Sequence, residues 1–289
     1  MTELDSLAQY YWSGYLNSKF EQELLERNST LLKIPKQIKQ PTKVAYILGC
    51  GSSINQVTEQ QWQHISTQFS VGVNNFYVHD FTPNEYFIEF VDNQAFLNLI
   101  YDELLDNPCH QSAQVNLAGI YILLHGAAYR PPKIQKPKFY VSRSVMLSSK
   151  QLLKRILPRY FKKDNPFLTH HISNLDTVIH YCIKLGYKDI NLVGVDLSND
   201  GYFWDHVDKP AYLKARHFIH SFQKQKEYKQ DSKGFHATAS SEVARKLGKL
   251  TIVEYLALLQ EHVLNQLGVK IWVTNPHSLL ASALPIKEI

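Results

Sequence analysis

Between positions 4 and 34, Leu7, Tyr10, Tyr11, Tyr15, Leu16, Phe20, Leu24 and Leu25 recur at helical spacing among polar residues. Residues three and four apart share a helix face, so the spacing predicts one or two amphipathic helices. The connector Ile34-Pro35-Lys36-Gln37-Ile38-Lys39-Gln40-Pro41 breaks the pattern and marks a boundary. Beyond it the periodicity changes. Lys43 to Leu48 form a short apolar and β-branched run, the signature of a strand buried on both faces. Phe69 to Val73 and Glu85 to Phe90 read as second and third strands, and Thr58 to Thr67 as the helix between the first two. Together they predict a β-α-β-β start with parallel character.

The pattern weakens between 95 and 168, where Ala118 to Leu124 reads as a strand. Ser144 to Phe161 reads as a basic helix, interrupted at Pro158 and carrying Lys150, Lys154, Arg155 and Arg159. Two roles stay open for segment 150–163: a solvated face, or a patch against a membrane surface or an acceptor. Leu175 to Leu185 reads as a helix closed by Gly186, and Asp189 onward as a strand running into Gly194-Val195-Asp196. Residues 198–236 are polar, aromatic and rich in Lys and His, as expected of a lid. A helix over Thr251 to Leu267 and a strand over Val269 to Thr274 close the chain. The sum is an α/β protein: an N-terminal helical extension over 1–40, then a Rossmann-like domain over 41–289, with a mostly parallel sheet, helices on both faces and a lid.

Composition narrows the chemistry only a little. A chain of 289 residues with 44% hydrophobic and 20% charged positions can bury one large core. Its net charge of +5 suits an anionic partner such as a nucleotide, a phosphorylated glycan or an acidic membrane, and suits an ordinary basic protein equally well. The acidic start Met1-Thr2-Glu3-Leu4-Asp5 and the lack of a long apolar run place the chain in the cytoplasm. Cys50, Cys109 and Cys182 are widely spaced and expected as free thiols. No HExxH, EF-hand loop or Asp-x-Asp occurs, so no metal is expected. No nucleic-acid partner is expected either.

The candidate site lies at strand ends. Gly49-Cys50-Gly51-Ser52-Ser53 follows the first strand, and two glycines let the backbone turn sharply and bring a following helix N-terminus toward a phosphate. The turn alone supports a nucleotide site and a tight structural connection equally. The GxGxxG pattern fails because Ile54 takes the third glycine's slot, and no P-loop follows. Asn74-Asn75, Asp92-Asn93 and Gly194 with Asp196 put polar groups after three more strands, where open α/β sheets bind ligands. His236, at the end of the lid, is a candidate general base. His170-His171 precede the helix that begins near Ser173, and could face an anion or form an ordinary loop pair.

These residues resemble the bacterial sialyltransferases that act on lipo-oligosaccharide, a metal-independent group with a GT-A-like fold. The resemblance rests on Gly49 to Ile54, Val73-Asn74-Asn75-Phe76-Tyr77, Leu185-Gly186-Tyr187-Lys188-Asp189-Ile190, Gly194-Val195-Asp196, Gly201-Tyr202, Phe235-His236 and Pro276-His277-Ser278-Leu279-Leu280-Ala281. They run in family order from about 43 to 285. The resemblance implies inverting transfer of a nonulosonic acid, sialic acid or a keto-sugar such as Kdo, from a CMP-activated donor to a glycan hydroxyl. His236 matches the base, and Tyr202 the lid tyrosine that bonds the departing phosphate. Asn74 and the 49–53 turn match donor-binding positions, and Asn174 falls where a serine meets the sugar carboxylate. The chain departs from the family at Cys50 and Asp92, each in place of an asparagine, at His171 for an arginine, and at Ser198 for a second phosphate-binding tyrosine. The implied partners are a CMP-sugar donor and a glycan or lipo-oligosaccharide acceptor, with no cofactor; peripheral contact with the inner membrane and self-association are further expectations. Two other readings stay open: a nucleotide-dependent enzyme such as a pterin pyrophosphokinase, and a non-catalytic member of a glycan or capsule assembly system.

Overall fold

A computed structural model describes residues 43–89, 110, 112–119, 138–144, 150–162, 168–198, 201–210, 212–213 and 238–289. The extension over 1–40, Asp92, His236 and most of the lid lie outside these residues. Eight strands form one sheet: β1 (Val44–Leu48), β2 (Phe69–Val73), β3 (Glu85–Glu89), β4 (Gln114–Gly119), β5 (Lys138–Ser144), β6 (Leu168–His170), β7 (Asp189–Val193) and β8 (Lys270–Val273). Their order is β6-β5-β4-β3-β2-β1-β7-β8, and every pairing of neighbours is parallel. The chain steps outward from β1 to β6, then returns to the other side of β1 for β7 and β8. Strand order therefore reverses between β1 and β7.

Among the described residues the helices are α1 (Glu59–Ser66), α2 (Lys150–Tyr160), α3 (Asn174–Leu185), α4 (Ser241–Lys246) and α5 (Ile252–Leu259), the last continuing through a π-helical turn at Gln260–Leu264 into Asn265–Leu267. Alternation along β1 assigns the faces. Ala45 and Ile47 join Leu153 of α2, Val178 of α3 and Leu256 of α5, whereas Tyr46 and Leu48 join Ile65 of α1, Phe76 and Trp204. The outward step from β1 to β2 carries its helix on one face and the return from β6 to β7 carries α3 on the other. A fixed hand of crossover demands that switch. α3 is buried on nearly all sides, as its central place requires, and ends at Gly186 with φ 100°.

Each sheet edge has hydrogen-bonding positions taken within the chain. At β6, the Thr169 amide donates to Nδ1 of the buried His180 at 2.9 Å. At β8, the Ile271 amide donates to Oε1 of Gln260 at 3.1 Å, and Val273 pairs with the terminal segment through Val273 N to Pro285 O and Lys287 N to Val273 O. Side chains and a terminal segment thus take hydrogen-bonding positions that an open edge would offer to another chain.

The middle of the chain corrects the sequence expectation. β4 overlaps the start of the strand expected at Ala118 to Leu124 and begins four residues earlier, the rest of that expectation lying outside the described residues, and β5 and β6 had no prediction. Three residues of β6 are too few to show a period; Ser144, expected to open the helix, belongs to β5, and the helix is described from Lys150. Leu153, Ile156, Leu157 and Tyr160 of α2 are buried while Lys154, Arg155 and Arg159 face solvent. The apolar side chains described on α2 are committed to the core, and its described exposed face is charged. Among the described residues no helix is long and apolar enough to cross a membrane.

Candidate functional site

A cavity of about 390 Å³ opens at the carboxyl ends of β1, β2, β3, β6 and β7, where strand order reverses. Ligands of open parallel sheets bind at this position. The cavity gathers Gly49, Cys50 and Gly51 after β1, Asn74 after β2, and Ser173 and Asn174 after β6. From beyond β7 come Gly194, Asp196, Ser198 and Tyr202. Ser52 and Ser53 do not line it, and His171 does not reach it.

The glycine turn serves packing first. The amides of Gly49 and Gly51 donate to the carbonyls of Val193 and Gly194, both at 2.7 Å. A Cβ on Gly49 would stand 2.4 Å from the Gly194 carbonyl, and one on Gly51 2.3 Å from the Asp196 carboxylate. Asp196 accepts from the Ser53 amide at 2.9 Å, the Ser53 hydroxyl at 2.5 Å and Asn275 Nδ2 at 2.8 Å. Its charge thus clasps the β1 turn to the β7 and β8 turns. Gly194, with φ 67°, packs where a Cβ would meet Ile54 at 2.3 Å. The close approach expected of a third glycine in the first turn is supplied from across the cavity. The element after the turn is the 3-10 turn Ser52–Gln56, not an α-helix, so no long helix points its N-terminus there. Within Gly49–Ser53, the amides of Cys50 and Ser52 have no acceptor among the described residues. The Cys50 thiol donates to the Val73 carbonyl at 3.4 Å, and burial raises its pKa, which disfavours the thiolate.

The described base of the lid is stitched to this turn. Tyr202 bridges Gly51, the Phe203 amide donates to the Cys50 carbonyl at 3.1 Å, and Asn55 Nδ2 donates to the Phe203 carbonyl at 2.9 Å. Tyr202 stacks on Trp204 with ring centroids 4.6 Å apart. These contacts fix the ring at the cavity wall.

The second half of the site is built around α3. Asp176 accepts from the amides of His171 at 2.7 Å, Ser173 at 3.1 Å and Ile172 at 3.4 Å, which caps the helix. Burial raises the Asp176 pKa to about 7, against the opposing pull of those amides and Lys249. Asn74, at φ 52°, turns its Oδ1 to accept from Asn174 Nδ2 at 2.8 Å and the Glu89 amide at 3.2 Å. Asn174 Nδ2 also donates to the Phe87 carbonyl at 3.0 Å, which fixes the amide orientation. With both amide protons committed, the Asn174 side chain has no donor for a carboxylate. The anion-attracting groups at this end are instead the first-turn backbone amides of α3, which the cavity borders at Asn174 and Leu175.

His171 is corrected outright. Its fully buried ring stacks on Tyr255 of α5 with centroids 4.4 Å apart, and Nε2 donates to the Leu250 carbonyl at 2.9 Å. The arginine's slot in the motif is filled here by a core residue. Glu89, by contrast, had no prediction and lines the cavity with its side chain 41% exposed. A charged residue closing the apolar run Tyr86-Phe87-Ile88 was the available signal. His170 Nε2 lies 4.0 Å from its carboxylate, and burial lowers the His170 pKa to about 3. Asn275 was also missed, although it too follows a strand. Among the described residues no cluster of three metal-ligating side chains forms.

No protein-family model matches the chain, and no curated protein matches it. Among solved structures it is similar to the monofunctional α-2,3-sialyltransferase Cst-I of Campylobacter jejuni, at 15% identity over 86% of this chain and 82% of that one, with a TM-score of 0.49. A second is the sialyltransferase CST-II in complex with trisaccharide acceptor and CMP, at 16% identity over 84% and 85%, TM-score 0.45. A third is CstII from Campylobacter jejuni with the substrate analogue CMP-3FNeuAc, at 15% identity over 84% of each chain, TM-score 0.44. None of these similarities assigns a role to a residue of this chain.

Proposed function

We propose that this chain is a glycosyltransferase that moves a nonulosonic acid, sialic acid or a related keto-sugar such as Kdo, from a CMP-activated donor to a glycan hydroxyl. One observation carries the proposal: residues 49–51, 73–75, 194–196 and 201–202, which belong to the motifs that bear the sequence resemblance and come from four separate stretches, line one cavity at the reversal of strand order. Unrelated positions of a core would have no reason to converge on one opening.

The reaction forms a bond from the acceptor oxygen to the anomeric carbon and breaks the bond from that carbon to the CMP phosphate oxygen. The acceptor proton passes to His236, and attack opposite the leaving group inverts the centre. The Tyr202 hydroxyl, helped by Ser198, donates to the phosphate as negative charge grows on it. The sugar carboxylate lies against the first-turn amides of α3, where the helix dipole favours an anion. CMP is already a fair leaving group, so a base and hydrogen-bond donors suffice.

The test pairs binding with transfer. CMP raises the melting temperature, since a ligand bound only by the folded state stabilises it. His236→Ala keeps CMP binding and loses roughly a hundred-fold or more in transfer to a glycan acceptor. Wild-type transfer by that variant removes the assigned base, and ATP binding that needs magnesium, with no response to CMP, removes the function.

A further inference from the structure

A second cavity, of about 330 Å³, lies at the amino ends of β7 and β8, where Lys188, Asp189, Asn265, Lys270 and Trp272 line it. The five residues of β7 separate it from the first cavity by roughly 17 Å. Lysines gather there. The Lys188 amide donates to the Lys43 carbonyl at 2.9 Å and the Lys270 amide to the Lys188 carbonyl at 2.8 Å, so three lysines stand side by side at the starts of β1, β7 and β8. Lys270 and a fourth, Lys287, each hold Nζ 5.4 Å from the centre of the Trp272 ring. Like charges so close repel, and none of the four lysines forms an ion pair among the described residues. The acidic residue in the lining, Asp189, accepts from Trp272 Nε1 at 3.1 Å and so orients the indole. A basic cluster without counter-charge from its own chain is complementary to an anionic partner.

Two exposed aliphatic side chains flank the cluster. Leu267, 38% exposed, gives its carbonyl to Lys188 Nζ at 2.7 Å, and Ile286, 48% exposed, pairs with Val273 next to Trp272. Lysines alone would suit any polyanion. Aliphatic groups gain only by leaving water, and an indole, with its apolar body and polar N–H, settles at the headgroup level of a bilayer. The basic helix α2 lacks this combination, because its described apolar side chains lie in the core. We propose that this end of the sheet docks on a bilayer containing anionic phospholipid, the lysines meeting lipid phosphates while Leu267, Ile286 and Trp272 enter the headgroup layer. The first cavity, at the opposite ends of the same parallel strands, then faces away from the lipid.

Co-sedimentation of the full chain with vesicles tests this, using phosphatidylcholine alone and phosphatidylcholine with about 30% phosphatidylglycerol. The chain binds the anionic vesicles only, and salt weakens the binding. Lys43→Gln combined with Lys270→Gln, both at exposed positions, lowers that affinity roughly thirty-fold while the melting temperature stays within about 2 °C of wild type. Leu267→Ser combined with Ile286→Ser lowers it roughly ten-fold and removes the part that survives high salt. A wild-type chain that stays in solution with anionic vesicles overturns the proposal, and so does either double variant that binds them as wild type does. If calorimetry shows inorganic phosphate binding while vesicles stay unbound, the cavity is a soluble-anion site and the bilayer reading falls.

Discussion

Two turns at the carboxyl end of the sheet are built on the same plan and end in different states. After β1, the carboxylate of Asp196 takes the Ser53 amide and hydroxyl and Asn275; after β6, the carboxylate of Asp176 takes the amides of His171, Ile172 and Ser173. The first turn uses its glycine amides to bind β7, so its donors are largely consumed internally. The second leads into a twelve-residue helix whose first-turn amides border the cavity. Glycine in the first turn marks close packing of two backbones. The donors left over, rather than the glycines, are the groups an anion would meet.

The sharpest way to break this comparison is Gly51→Ala. Its Cβ would meet the Asp196 carboxylate at 2.3 Å, with the Gly194 carbonyl at 2.8 Å leaving no room to shift. We expect a loss of more than about 4 kcal/mol, read as failure to accumulate folded protein, whereas a cradle made for ligand alone would leave stability intact. Removing each carboxylate comes next. Asp196→Ala and Asp176→Ala each cost about 3 kcal/mol in urea unfolding, because buried donors lose their acceptor. Only the second also weakens CMP-sugar binding beyond any change in CMP binding.

Acid separates the turns more gently. His170, beside the second turn, has its folded pKa lowered to about 3. The unfolded chain takes up that proton below about pH 6.5, so His170 costs the fold stability as pH falls from there toward 3. The difference in unfolding free energy between pH 7 and pH 5 shrinks by about 2 kcal/mol in His170→Gln. An unchanged difference would remove the buried neutral histidine. Smallest of all is Cys50→Ser, which keeps a donor for the Val73 carbonyl and shifts stability by less than about 1 kcal/mol. CMP affinity that is unaltered in this variant, and insensitive to thiol reagents, confirms that the first turn's thiol takes no part in chemistry.

The central strands were legible because Val44–Leu48, Phe69–Val73 and Asp189–Val193 are buried on both faces and are therefore mostly apolar. Residues after them, such as Asn74 and Asp196, were legible as polar groups that follow such runs. β6 was not, since it is a strand by virtue of β5 and His180 rather than of its own three residues. Orientation was the other blind spot. Position in a motif placed Asn174 and His171 beside the cavity, but the partners that turn Nδ2 toward Phe87 and the imidazole toward Leu250 lie 87 and 79 residues away in the chain. Glu89 escaped notice because one charge at the end of an apolar strand looks like an ordinary solubilising residue.

The clasp between Ser53 and Asp196 joins residues 143 positions apart. Such a contact closes a long loop, so it forms after the helices and local strand pairs that precede it. During synthesis β1 must wait, one flank unpaired, until β7 emerges, and the cavity has no existence before that moment. Folding speed and ligand capture are thereby tied to one event, the docking of the returning strand. A nucleotide that bridges the two turns would hold that junction shut and slow unfolding before any change in the rate of folding.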